Sequence, residues 1–154
     1  MAALRRCDLL LGLDDAALAK IANLPSSSAE TYQAGTELFK EGDTAEHLYI
    51  LDEGYVNLGM DINADPRQSA VVETVTKGSV FGWSALVPPY VYTHSGICTG
   101  LVKVAVIRGN ELRSLMDNDH HIGYEVMKGL VRVISARLRL VQRQYIKSRR
   151  RMIL

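Results

Sequence analysis

Apolar residues recur along the chain with two different periods, and the change between them falls near Ile107. From Ala29 to about Arg108 the apolar residues come in short runs, each closed by turn-forming residues. TYQ runs into AG at 34–35, ELFK into EGD at 41–43, and HLYIL into DEG at 52–54. YVNLGMDI then ends at the expected hairpin loop NADPR, and SAVVETV ends at KG. VFGW, SGIC and LVKVAVI complete about eight predicted strands. Many short strands at near-even spacing predict a sandwich, jelly roll or barrel. Ahead of them, Asp14 or Asp15 can cap a short helix, DDAALAKIANL, which Pro25 closes; SSS at 26–28 reads as loop.

Beyond Ile107 the period becomes helical. Gly109 or Asn110 can open ELRSLM, and Asp117 or Asn118 can cap a long helix from about Asp119 to about Ser148. Met127, Leu130, Ile134, Leu138, Val141 and Tyr145 recur at spacings of three and four, one helical stripe. Val126, Val133 and Leu140 recur at sevens on another face. One apolar face can pack on the β-body. A second one calls for cover, which predicts a homodimer through paired C-terminal helices.

The 154 residues suit one domain, divided at about 9–108 for the N-terminal helix and β-body, about 109–148 for the C-terminal helices, and 149–154 for a basic tail. No run of 18 apolar residues exists, so no membrane span is expected. The opening MAALRRCDLLLGLDD has a basic start and a leucine run, but Asp8, Asp14 and Asp15 break it and no small-residue cleavage site follows. That points to a cytoplasmic protein. Two scattered cysteines, Cys7 and Cys98, fit the same compartment and form neither a disulfide framework nor a zinc pattern. The net charge of +1 conceals a division: residues 1–127 hold all 17 acids and 9 of the 18 bases, and residues 128–154 hold the other 9 bases and no acid.

GSVFGWSALVPPYVYTHSG, residues 78–96, has the glycines of a ligand-approaching loop and no charged side chain. Together with LLLGLDDAALAKIA, the block YQAGTELFKEGDTAEHLYILDEGYVNL, and ISARLRLV in the last helix, it resembles the cyclic-nucleotide-binding domain family, including the sensor half of catabolite-activator-type regulators. The resemblance runs from about Leu9 to Val141. It implies an antiparallel β-roll, or jelly roll, followed by a long C-terminal helix, with a ligand pocket beneath this loop.

In that family a short helix after Phe-Gly turns its free N–H groups to the cyclic phosphate, and an Arg a few residues later neutralises it. A Glu directly after Phe-Gly accepts from the ribose, and a residue of the long helix caps the base. Carried onto this chain, Phe81 and Gly82 match the turn. Trp83 stands at the Glu position and cannot accept a hydrogen bond. Ser84, Ala85 and Leu86 fall at the helix start. Thr93 or His94 stands at the Arg position, Ser95 or His94 at a small polar position touching the phosphate, and Val141 and Gln142 at the base. Losing one charge-assisted phosphate contact costs about 1.5–3 kcal/mol, so conventional tight binding of a cyclic nucleotide is not expected.

Other readings carry less. Trp83 could be a platform for a flat ligand or simply fill the vacated space. His94 and Cys98 invite a haem or metal site, but the four histidines lack ligand spacing, so no cofactor is expected beyond a cyclic nucleotide or another small ligand. Metal-dependent cupins share a related roll but need a His-x-His that HLYIL does not offer; no enzyme is expected. In gene regulators of the family a helix-turn-helix follows the long helix; these residues hold none, so sequence-specific DNA reading by this chain is not expected. The expectation is therefore a non-catalytic sensing domain with a degenerate site, read by a protein partner. A weak cyclic AMP or cyclic GMP binder, and a dimeric scaffold with a closed pocket, are the alternatives.

Overall fold

A computed structural model describes residues 1–63 and 65–153, with the side chains of Pro66 and residues 151–153 outside the description. Two short helices open the chain, α1 (Ala2–Arg5) and α2 (Asp15–Ala22). Asp14 is the cap of α2: its carboxylate accepts from the Ala17 N–H at 2.9 Å. Eight strands follow: β1 (Ser28–Tyr32), β2 (Glu37–Phe39), β3 (His47–Glu53), β4 (Val56–Ile62), β5 (Asp65–Val75), β6 (Val80–Phe81), β7 (Ser95–Cys98) and β8 (Val102–Arg108). They form two antiparallel four-stranded sheets, ordered β1-β8-β3-β6 and β2-β7-β4-β5. This is the expected β-roll.

Three local expectations change. Ser28 belongs to β1 rather than to a loop. The hairpin expected over NADPR is tighter, since Ile62 pairs with Asp65 and β5 already includes Arg67; Ala64 lies outside the described residues. VFGW is strand only through Phe81, because Gly82 turns into the left-handed region at φ 70° and starts a 3₁₀ helix over Trp83–Leu86.

Alternation sets the interior. In β8, Val102, Val104 and Val106 are buried on the inner face while Lys103 faces out, and Ile107 is buried on the other face. The two inner faces meet over Tyr49, Leu51 and Phe81 of the first sheet and Phe39, Val56 and Leu58 of the second, all buried, while Leu48, Ile50, Val80 and Ile107 are buried on the opposite face of the first sheet. The free thiols of Cys7, in the N-terminal segment, and Cys98, beside Val56, are both buried, and burial pushes the Cys7 thiol up to about 12.

Behind the roll come α3 (Gly109–Asn118) and α4 (His120–Ile153). Asp119 supports the start of α4, its carboxylate accepting from the Ile122 N–H at 3.2 Å and pairing with Lys20 at 3.0 Å. Ile122, Val126, Leu130 and Val133 form the face seated on the body. Gly129 lies in the same seam, where a Cβ would collide with the Leu9 carbonyl oxygen. Leu130, expected on the dimer stripe, is thus a body contact at 3% exposure. The other stripe residues, Met127, Ile134, Leu138, Val141 and Tyr145, are exposed. The helix also does not stop near Ser148 but runs on through the basic residues, since neither Gly nor Pro follows Gly129. Among the described residues, no helix is long and apolar enough to cross a membrane.

Candidate functional site

The uncharged loop folds over one end of the roll. Phe81 is anchored by pairing with Tyr49, and Val80 with Ile50. After the Gly82 turn, Ala85 and Leu86 are buried while Trp83 and Ser84 remain half-buried. Beneath the loop, Phe39 stacks on Tyr92 at 4.1 Å and on Tyr49 at 5.7 Å, and Tyr49 stacks on Phe81 at 5.1 Å. The Tyr92 hydroxyl donates to the His47 carbonyl at 2.5 Å, and the His47 N–H donates back to it at 3.2 Å. Burial raises the pKa of both Tyr49 and Tyr92, so each stays a neutral phenol.

Rings fill the space. The cavity left among Phe39, Leu58, Gly82, Trp83, Tyr92 and His94 holds about 20 Å³, room for one water. A wider groove of about 440 Å³ lies between the N-terminal helices and β1 and β8, and shares no lining residue with the loop.

The polar residues at 93–95 find local partners. Thr93 Oγ1 meets His94 Nδ1 at 3.0 Å, and the Ser95 hydroxyl accepts from the Glu41 N–H at 3.0 Å. His94 is half-buried, and burial lowers its pKa, opposed by Glu73 and Glu41 and assisted by Arg137. It is therefore a neutral imidazole near pH 7. Among the described residues, no three His, Cys, Asp or Glu side chains gather as a metal set.

The charges come from the helices instead. Arg113 of α3 lies over the Tyr90 ring at 3.9 Å and donates to the Ala85 carbonyl. Arg137 of α4 lies over the Trp83 ring at 4.2 Å. Its Nη2 donates to the Val80 carbonyl at 2.7 Å, and its Nε pairs with Glu73 at 3.0 Å. Its Nη1 is buried with no hydrogen-bond partner among the described residues. Burial lowers the pKa of this guanidinium, while Glu73 and Asp8 act the other way; as an arginine it keeps its charge. Asp8 belongs to the same knot, accepting from the Val80 N–H at 3.0 Å.

Of the loop residues singled out in the sequence, Gly82, Trp83, Ser84, Thr93 and His94 line this cavity, while Phe81, Ala85 and Leu86 are buried in the core. Val141 and Gln142 do not join them. Both are exposed and neither lines the cavity. The α4 residue that reaches the loop is Arg137, one turn earlier.

With this geometry in place, the cyclic nucleotide-binding domain family matches residues 29–119, well over half of the chain. The chain belongs to that family. A candidate cyclic nucleotide-binding protein from Geobacter metallireducens GS-15 is 32% identical, with 89% of this chain and 96% of that one covered at a TM-score of 0.77. The N-terminal domain of a transcriptional regulator from Streptomyces coelicolor A3(2) is 26% identical, covering 93% and 94% at a TM-score of 0.69. The cGMP-dependent protein kinase, isozyme 1, of Drosophila melanogaster is 29% identical over 84 residues; these are 54% of this chain and 11% of that kinase. The family matches are to regulatory nucleotide-binding domains, and the roll with its long helix is the fold they share.

Proposed function

We propose that this chain is a non-catalytic ligand-sensing domain whose β-roll site is degenerate for cyclic nucleotides and whose readout is α4. One observation carries the reading: the indole at the ribose-acceptor position is held by an arginine from the readout helix. Arg137 ties Trp83, the Val80 carbonyl and the Glu73 carboxylate to a single turn of α4. A ligand large enough to matter has to displace Trp83, because the cavity beside it holds about 20 Å³. Displacing Trp83 removes the stacking partner of Arg137 and loosens the last point at which α4 is fixed to the body. Occupancy then biases the position of the helix, and a second copy docked on its exposed apolar stripe reads the change.

The test is a titration of cyclic AMP and cyclic GMP into the purified protein, followed by emission from Trp83, the single tryptophan. No saturation is expected at micromolar ligand; a saturable micromolar response overturns the degenerate site. The filled interior also favours a second reading, a dimeric scaffold that binds nothing. Emission that stays that of a half-buried, immobile indole under every small-molecule challenge supports the scaffold over the sensor.

A further inference from the structure

Every residue of α4 from Leu138 to Arg150 is exposed, so this part of the helix stands clear of the roll. At 100° per residue, Arg132, Arg139, Arg143, Lys147 and Arg150 fall within about 80° of arc. They span roughly 27 Å of helix. None of the five has an acidic partner within ion-pair distance among the described residues, and the last acid in the chain is Glu125. The exposed apolar stripe through Ile134, Leu138, Val141 and Tyr145 is centred about 165° away on the same cylinder. Both can be engaged at once.

We propose that this cationic row is a docking surface for the phosphate backbone of a nucleic-acid duplex, bound without regard to sequence. Charge complementarity selects the partner and its placement. The body, with 17 acids against 9 bases over residues 1–127, repels a polyanion, so contact is confined to α4 where it leaves the body. Each strand of a duplex presents a phosphate about every 3.4 Å of helix axis, a density that a single row of five guanidinium and ammonium groups can follow. An anionic bilayer would have to take the apolar stripe and the row together, and they face nearly opposite ways. An acidic protein partner would need a buried anchor, and the large apolar side chains nearest the row, Leu140 and Ile146, are isolated on its two flanks, each about 20° outside its arc.

The test uses the full chain, two labelled 30-base-pair duplexes of unrelated sequence, and vesicles of phosphatidylserine and phosphatidylcholine. Anisotropy is read from 50 to 200 mM salt. Both duplexes are expected to bind alike, with log K falling against log salt at a slope of up to about −4.5, or about −0.9 per neutralised phosphate. The variant R139Q/R143Q/K147Q is expected to flatten that slope by about 2.7. A body variant of equal charge change, K40Q/R67Q/K103Q, is expected to leave the slope unchanged, which separates the row from net charge. Circular dichroism confirms that both variants keep their helix. The proposal is overturned by no duplex binding at 50 mM salt, by an unchanged slope in the helix variant, or by binding to the vesicles alone.

Discussion

The two halves of α4 share one sequence style and lead different lives. From Ile122 to Val133 every third or fourth residue is buried against the body; from Leu138 to Arg150 nothing is. The apolar spacing barely changes across the boundary, so periodicity alone does not decide burial. What changes is the surface available to pack against, and Arg137 marks the edge. Before it, apolar side chains meet Leu9 and the α3 seam; after it, the same kinds of side chain face outward.

Substitutions test how sharp that boundary is. Leu130→Ala removes a body contact of the first half and is expected to cost about 2–5 kcal/mol in chemical denaturation. A loss under about 0.5 kcal/mol would mean that this half is not seated as described. Arg137→Ala, at the boundary, strips a charged donor from Val80 and a partner from Glu73, for an expected loss of about 1.5–3 kcal/mol. Trp83 emission should shift to the red with it. Arg137→Lys should not restore the emission, because an ammonium cannot both stack and fork.

Acidification acts on the loop rather than on the helix. The folded-state pKa of His94 lies below its ordinary value of 6.5, chiefly through burial. Between those two pKa values the unfolded chain binds more protons, so stability falls as pH drops below about 6.5 and levels off below the folded pKa. The melting midpoint should therefore decline from pH 7.5 to 5.5, by less than either substitution causes, and His94→Gln should remove that part of the decline. Least of all, Leu138→Ala in the second half is expected to move monomer stability by no more than about 0.5 kcal/mol. Leu138→Glu should instead act on assembly, with sedimentation at micromolar protein shifting from dimer to monomer. A monomeric parent chain would refute the docking role of the stripe.

Much of the fold was legible because its markers are local. The turn residues at 34–35, 41–43 and 52–54 separate short strands, and Asp14 caps α2 as its chemistry dictates. The loop was legible as a site because Phe81-Gly82 forces the turn. Its electrostatics were not, because the cations that serve it are supplied by Arg113 and Arg137 from distant elements. One signal did exist for Arg137. It continues the row Ile122, Val126, Leu130, Val133 at the next helical position, and a charged residue closing an otherwise buried row needs a partner. Leu130 was assigned to the wrong stripe for a related reason: spacings of three and four leave a residue shared between neighbouring rows until packing chooses one.

Cys7 and Cys98 lend themselves to a different use. Both cysteines are at most 1% exposed, one in the N-terminal segment between α1 and α2 and one in β7 of the second sheet. Burial keeps each protonated and out of reach of alkylating reagents. Their modification rates therefore act as two native clocks, with no label introduced. Equal rates would mean that the helical seam and the roll open as one unit; a faster Cys7 would mean that the seam under α4 unlatches alone.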